Sequence, residues 1–241
     1  MTPGAEAEPG GGAADASSSD AHAFFAWVHG LVAAEDPRLR HLGPVDAAYG
    51  AGAEAAARQV RHSVWHMTIF PSWSTVRAAQ PFARLSRRPG IDVRYLTTPL
   101  SVHLLPLLAS HHHPYLRVGP VVDSMMILDG ARVFVGQPHS ATPVSSVFES
   151  TDAALVAKAV RVFDAGWRTA EPVIPEGEEP PFTRRMVQVA FLLTTGASDR
   201  EIARSLAVSE RTVSSEVAEL VRRLGARSRT HAIGLVNGAT Y

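Results

Sequence analysis

The chain has 241 residues, of which 46% are hydrophobic and 19% are charged, and it contains no cysteine. This composition is typical of a folded globular protein, and the missing cysteines exclude disulfides and thiolate metal sites. The sequence has neither an apolar run of about 18 residues nor an N-terminal secretory pattern. We therefore expect no membrane span and a cytoplasmic location.

The charges are distributed unevenly along the chain. Basic residues (lysine plus arginine) and acidic residues each number 23, so the formal net charge is zero. From residue 182 onward, however, nine arginines stand against five acidic residues. A basic C-terminal segment on an acidic remainder is typical of proteins that bind the phosphate backbone of nucleic acid.

The predicted elements of the first 170 residues alternate between helices and strands. Residues 1–20 are rich in glycine, alanine and serine without apolar periodicity, so we expect them to be disordered. Apolar spacing predicts helices at 21–34, 45–61, 76–87, 102–110 and 152–167. Alternating or apolar runs predict strands at 63–70, 91–96, 116–118, 125–128 and 132–135. This order predicts an α/β domain, with a mixed sheet and helices, over residues 21–170.

A linker and a small all-α domain of four helices are predicted next. Residues 171–181 are rich in proline and acidic residues, which indicates a linker. Within residues 182–241, Ser198 and Glu201 form a predicted capping box, and Ser209 caps the following helix, which ends at Gly225. Apolar residues at 203, 208 and 213 are spaced to hold two helices at the crossing angle of a helix-turn-helix.

Residues 182–233 closely resemble the LuxR (GerE/NarL-type) DNA-binding domain. The matching positions are Thr183, Arg185, Val189, Gly196, Ile202, Ala203, Leu206, Ser209, Thr212, Val213, Val217, Leu224, Arg227, Arg229 and Ala232. The resemblance covers about a quarter of the chain. It implies a transcription regulator whose third C-terminal helix enters the major groove of double-stranded DNA.

The resemblance also implies which residues contact DNA. Contacts to base edges are expected from Ser214, Ser215 and Ala218. Contacts to the phosphate backbone are expected from Arg204, Arg211, Thr212 and Arg222, and Ser209 completes the predicted set.

Three positions depart from the family pattern. Met186 replaces a glutamate, Ser214 replaces a basic residue, and Glu216 replaces a histidine. Serine hydroxyls accept from or donate to any base, so base reading should be permissive. Because the Glu216 carboxylate would be repelled by phosphate, we expect modest affinity unless two copies of the chain pair.

The last helix has two interpretations. By resemblance it supplies the contact of a homodimer, through Ala232, Ile233, Leu235 and Val236. Alternatively, these apolar residues only complete the core of their own domain. The sequence does not decide between the two.

The α/β region resembles, more loosely, the phospholipase-D-like domain of some LuxR-type regulators. The resemblance is carried by residues 124–136 and by the helix that ends near Trp167. Placing Asp129 as the catalytic aspartate of that family puts Val122 and Ser124 where its histidine and lysine stand. Valine cannot attack phosphorus and serine carries no charge for a phosphate.

We therefore expect no catalytic residue, and a role in sensing a small-molecule effector or in assembly. The rival hypotheses are a phosphodiesterase with a helical appendage, and a helix-turn-helix that docks a protein instead of DNA. A phosphodiesterase activity screen would discriminate the first rival.

The run His111-His112-His113 is a candidate metal ligand set, but consecutive residues point in different directions. A polar loop before Pro114 is the preferred interpretation, and we expect neither a metal nor a cofactor. Trp65 and Trp73 flank Pro71 and are expected in the core, the default for tryptophan in a strand, although a pocket lining is the alternative.

Overall fold

The computed structural model describes residues 11–44, 51–69, 71–136 and 146–239. Its first element is helix α1 (Gly11–Ala33), which begins well before the predicted start at residue 21. The expectation of disorder is contradicted at 11–20, where the sequence is rich in alanine, the best helix former. Residues 1–10 lie outside the described residues.

Most helices of the α/β region are shorter than predicted. After α1 they are α2 (Ala51–Gln59), α3 (Trp73–Ala78), α4 (Gln80–Ala83), the 3-10 helix η1 (Arg84–Arg87), α5 (Pro99–Leu104), α6 (Leu108–His112) and α7 (Ala153–Thr169). The predicted helix at 102–110 is divided in two around Pro106, because proline is not accommodated in a helix interior. Residues 45–50, the start of another predicted helix, lie outside the described residues.

The strands of the described residues form one eight-stranded sheet in the order β1-β7-β6-β5-β2-β3-β4-β8. They are β1 (Arg40–Pro44), β2 (Ser63–Thr68), β3 (Asp92–Thr97), β4 (Leu116–Val118), β5 (Met125–Leu128), β6 (Arg132–Gly136), β7 (Ser146–Ser150) and β8 (Glu171–Pro172). Strands β2, β3 and β4 are parallel neighbours, and the other pairs are antiparallel. The predicted mixed α/β sheet is confirmed.

Asp129 and Gly130 form the turn between β5 and β6. Both have positive φ angles, of 55° and 60°, a conformation that asparagine, aspartate and glycine tolerate best. The Asp129 carboxylate accepts backbone hydrogen bonds from Arg61, His62 and Ser63 at 2.7–3.2 Å. Burial opposes ionisation, but these donors hold the pKa of Asp129 below its usual value. The carboxylate therefore fixes the start of β2.

Helices cover both faces of the sheet. On one face, α1 and α7 pack on a cluster that includes Met67 and Leu96. On the other face, α2, α4 and η1 pack on Val64 and Met126. Side chains of successive strand residues point to opposite faces, which is why neighbouring strand residues belong to different clusters.

The predicted linker at 171–181 begins inside the sheet. Its first two residues are β8, which pairs antiparallel with β4, and the Val173 N–H donates to Leu116 O at 3.4 Å. The pairing joins positions far apart in the sequence, so the proline-rich composition did not indicate it. At the far end of the linker, the Phe182 N–H donates to Ser110 Oγ at 3.1 Å.

The C-terminal helices are α8 (Arg184–Thr194), α9 (Asp199–Leu206), α10 (Glu210–Arg223) and α11 (Arg229–Val236). They share one hydrophobic cluster with α3 and α6 of the α/β region. Phe191 of α8 stacks on Trp73 with ring centroids 4.5 Å apart, and the His111 ring meets Phe191 edge-on at 5.0 Å. The helix-turn-helix is thus docked on the α/β region through α8.

No helix within the described ranges is both long and apolar enough to cross a membrane.

Candidate nucleic-acid interface

Each C-terminal helix begins at a hydroxyl side chain that caps it. The capping residues, whose side chains accept from the backbone N–H three positions later, are Thr183, Ser198, Ser209 and Ser228. The predicted capping box of Ser198 and Glu201 is present. Gly225, with a φ of 62°, follows α10 as predicted. Local hydrogen bonds therefore set where each of these four helices begins.

The turn between α9 and α10 is built around three apolar positions. Ala203 and Val213 are buried, and Val208 packs against the same cluster. The Val208 N–H donates to Ala203 O at 3.0 Å, while Ala207 adopts the left-handed conformation with φ 53°. The three positions lie where the sequence predicted them, and they fix the angle at which α10 leaves the domain.

One face of α10 is open to solvent. Its exposed members follow helical spacing, so they lie on one side: Arg211, Ser214, Ser215, Ala218 and Arg222. Arg204 and Ser209 are also exposed beside it, whereas Thr212 is half-buried and its N–H donates to Ser209 Oγ at 3.0 Å. The structure thus places the predicted DNA-contacting residues together. We call the exposed side of α10 that carries Arg211, Ser214, Ser215, Ala218 and Arg222 the reading face.

Ser214 is engaged within the domain. Its Oγ donates to Asp199 Oδ2 at 3.0 Å, and Asp199 also accepts from the Arg229 guanidinium of α11. The hydrogen bond from Arg229 is the main cause that holds the pKa of Asp199 below its usual value. This ionised carboxylate joins α9, α10 and α11 and orients the Ser214 side chain.

Glu216 has a partner that the sequence did not indicate. Its carboxylate lies 3.5 Å from the Arg185 guanidinium of α8, with only 16% of its side chain exposed. The expected repulsion of phosphate by Glu216 is therefore offset by an adjacent positive charge. Met186, where the family has glutamate, is buried in the core.

Arg222 is also paired. Glu219 accepts hydrogen bonds from Arg222 and Arg223, which lower its pKa to about 2. The positive charge of Arg222 is consequently shared with a carboxylate before any DNA is bound. The spacing of three and four residues along a helix would have indicated these pairs, but the contact of Ser214 with Asp199 has no sequence signal.

The last helix contributes to the core of its own domain. Ala232 and Val236 are each 1% exposed, which supports the core interpretation for these two residues and leaves them no surface for a second copy. Ile233 and Leu235 are half-buried. Just beyond α11, a Cβ added at Gly238 would lie 3.4 Å from Leu105 Cδ2, so this end of the helix rests on the α/β region. A dimer contact through Ile233 and Leu235 stays a prediction.

The positions that resemble a phospholipase D motif have structural roles. Asp129 holds the start of β2, and Val122 packs against the core beside α7. The Ser124 hydroxyl donates to Thr68 Oγ1 at 3.2 Å and accepts from the Ile69 N–H at 3.3 Å. The neighbouring Asp123 carboxylate lies 3.1 Å from His29 Nε2. At these positions Val122 provides no nucleophile and Ser124 provides no positive charge for a phosphodiester.

The predicted polar loop at His111–His113 is wrong for its first two residues. His111 and His112 end helix α6, and the His112 ring stacks on Tyr95 at 3.9 Å. A neutral imidazole packs like an aromatic ring, which accounts for a histidine run in this position. Among the described residues, no three His, Asp or Glu side chains are grouped so that they could hold a metal ion.

Comparison with known proteins identifies the C-terminal domain. Residues 180–236 match the model of the family described as bacterial regulatory proteins, luxR family. The chain is 38% identical over 86 residues to the response regulator RamR of Streptomyces coelicolor, which covers 36% of this chain and 41% of RamR. The chain thus matches about two fifths of the length of that relative. The predicted resemblance of the C-terminal segment is confirmed.

Two solved structures are similar to larger parts of the chain. TrmBL2, an archaeal chromatin protein, aligns with a TM-score of 0.45 at 18% identity, over 66% of this chain and 64% of its own. Nuc of Salmonella typhimurium, a phospholipase D family member, aligns with a TM-score of 0.38 at 16% identity, over 50% of this chain and 87% of its own.

Proposed function

We propose that this chain, whose residues 180–236 form a LuxR-family domain, is a transcription regulator that binds double-stranded DNA through the reading face of α10. The observation that carries the proposal is the exposure of that face. Arg211, Ser215 and Ala218 are accessible, while the domain docks on the α/β region through α8 and the end of α11. A duplex can therefore reach α10 without separating the two parts of the chain.

Electrostatics supports the same partner. The reading face and its surroundings carry Arg204 and Arg211, which are exposed, and the chain from residue 182 onward has more arginines than acidic residues. The partial positive charge at the N-terminus of α10 adds to them near the phosphate backbone. That the relative RamR is named a response regulator agrees with a regulatory role.

The proposal divides the chain by role. Residues 21–170 sense a small-molecule effector or mediate assembly, residues 171–181 connect, and residues 182–241 bind DNA. We assign the α/β region to binding rather than to catalysis, because Val122 and Ser124 stand at the positions where the chemistry of a phosphodiesterase needs histidine and lysine. Pairing of two copies in the cytoplasm would supply the affinity that a serine-rich reading face lacks.

The affinity of the full chain for a mixture of genomic DNA fragments is expected to fall steeply as salt increases. Each phosphate neutralised contributes about −0.9 to the log–log slope, so contacts by the unpaired Arg204 and Arg211 predict a slope of about −2 or steeper per chain. Fluorescence anisotropy at a series of salt concentrations measures it. The absence of binding at low salt by a folded chain would contradict the proposal and favour a helix-turn-helix that docks a protein.

A further inference from the structure

Helices α1 and α7 pack side by side on the sheet and leave a groove between them that opens to solvent. The groove has a volume of about 540 Å³, which lies within the range of pockets that bind small molecules. Its walls are formed by residues 20–27 of α1 and 158–168 of α7. Both walls are anchored in the core, because Phe25 and Phe163 are buried.

The floor of the groove is apolar. Phe24 and Val162 line it, although each is less than a tenth exposed. Ala23 and Ala165 add small side chains on the two walls, and the half-buried Trp27 indole adds an aromatic surface. A ligand seated here would remove carbon surface from water, which is favourable.

The α7 wall is positively charged. Lys158, Arg161 and Arg168 line the groove and are exposed, and none of them forms an ion pair with a carboxylate in the part of the chain that the structure describes. Arg168 is held in place, since its Nε donates to Asp164 O at 3.2 Å. Like charges on one helix face repel each other, so an anion between them would bind favourably.

Two acidic side chains line the groove as well, and one of them already has a basic partner. The Asp164 carboxylate lies 3.0 Å from the guanidinium of Arg94, which does not line the groove. Among the described lining residues, Asp20 is then the one carboxylate left against three basic side chains. The groove therefore attracts anions.

Two pairs of side chains give the groove its recognition geometry. On α1, the rings of Phe24 and Trp27 lie with centroids 6.3 Å apart. On α7, Lys158 and Arg161 are three residues apart and therefore neighbours on one face of the helix. The Lys158 ammonium lies 4.1 Å from the Trp27 ring centroid, a cation–π contact that brings the aromatic pair and the cationic pair together.

We propose that this groove binds a small planar molecule that carries an acidic group, such as an aromatic carboxylate. The acidic group accepts hydrogen bonds from Lys158 and Arg161, and the apolar body covers the floor at Phe24 beside the Trp27 ring. This inference rests on the proposed function, in which residues 21–170 sense a small-molecule effector, and it names the site and chemical class of that effector. The limited volume favours a small molecule over an acidic polypeptide.

The test measures the binding of 2-naphthoate to the full chain by isothermal titration calorimetry, without DNA. The uncharged compound 2-naphthamide has the same ring system and serves as the comparison ligand. The wild-type chain is expected to bind 2-naphthoate at least about tenfold more tightly than 2-naphthamide, because only the carboxylate forms charge-assisted hydrogen bonds with both partners.

Two double variants that lose the same charge identify the site. Lys158→Gln/Arg161→Gln removes the cationic pair, whereas the control Arg84→Gln/Arg88→Gln removes two exposed arginines from η1 and its end, which lie on the opposite face of the sheet. The groove variant should weaken 2-naphthoate binding at least about tenfold, and the control should keep the wild-type affinity. The exchange Lys158→Arg/Arg161→Lys retains both charges and should largely restore binding. Circular dichroism establishes that each variant is folded.

A folded wild-type chain that binds neither compound, or binds both equally, would overturn the inference, as would equal affinities of the groove variant and the control for 2-naphthoate. Binding of poly-glutamate without binding of 2-naphthoate would also overturn it, since the partner would then be an acidic protein. A chain that binds 2-naphthoate but no DNA would overturn the proposed function and leave the ligand site in place.

Discussion

Replacing Phe191 with alanine is expected to split the thermal unfolding of the chain into two transitions. Phe191 stacks on Trp73 across the contact between the two parts of the chain, at 4.5 Å with an interplanar angle of 16°. Removing a buried phenylalanine costs about 3–5 kcal/mol, and we expect about 3 kcal/mol here because Phe191 is only half-buried. The free energy lost weakens mainly the contact between the two parts of the chain.

The structure explains why that contact is vulnerable. Within the described residues, buried Trp73 Nε1 and His112 Nε2 have no hydrogen-bond partner, so ring packing rather than polar bonding stabilises the contact. One hydrogen bond, from the Phe182 N–H to Ser110 Oγ, joins the two parts of the chain beside this stack. Loss of the Phe191 ring therefore removes the ring contacts with Trp73 and His111 that help to hold α8 on the α/β region.

Differential scanning calorimetry measures the transitions. The matched control is Phe148→Ala, which removes a half-buried phenylalanine from β7, remote from α8. The control should lower the unfolding temperature while leaving one coupled transition. If Phe191→Ala also unfolds in a single transition, the two parts of the chain are held together by contacts other than this stack.

Acidification from about pH 7 to pH 5 is expected to destabilise the chain strongly. Burial lowers the pKa of His66 to about 4, and burial with the nearby charge of Arg87 lowers that of His111 to about 4. Burial, followed by the charges of His111 and His66, also lowers the pKa of His112. In the unfolded chain each histidine titrates near its ordinary value of 6.5.

The sign follows from proton binding. Between pH 6.5 and about 4 these histidines bind more protons in the unfolded chain than in the folded chain. Their contribution to the free energy of unfolding is therefore fully present above pH 6.5 and is lost as the pH decreases through this window. At about pH 5, His66 and His111 each account for a loss of about 2 kcal/mol. Carboxylates such as Asp129 remain ionised over most of this range.

Urea unfolding at about pH 7 and pH 5 measures the effect. His66→Phe removes one titrating group while retaining a ring against Tyr95, whose ring lies 4.9 Å away. It should reduce the loss on acidification by about 2 kcal/mol. A wild-type chain with equal stability at both pH values would show that the three rings are not buried as neutral imidazoles.

The sequence predicted the helix-turn-helix well because its determinants are local. Ser198, Ser209 and Gly225 act within one turn of the residues they cap, and the apolar spacing of α10 is read directly from the chain. The turn at Asp129-Gly130 is local in the same sense, since two adjacent residues with positive φ determine its backbone.

The sequence-based predictions that were wrong or undecided concern contacts between residues far apart in the chain. Strand β8 exists only because it pairs with β4, and composition alone indicated a linker. His111 and His112 are polar by type, yet the aromatic rings of Tyr95 and Phe191 make a helix end the better environment for them. Likewise, the apolar residues of α11 were compatible with either a dimer contact or a core. Only the packing of the folded chain shows that Ala232 and Val236 are buried.

The most direct test of the account places a carboxylate on the reading face. Ala218→Glu puts a negative charge at an exposed position of α10, and the control Ala157→Glu puts the same charge at an exposed position of α7. DNA affinity at one salt concentration should fall at least tenfold for Ala218→Glu, which corresponds to about 1.4 kcal/mol, and remain at the wild-type value for the control. Equal affinity for both variants would contradict the assignment of α10 as the helix that reads DNA.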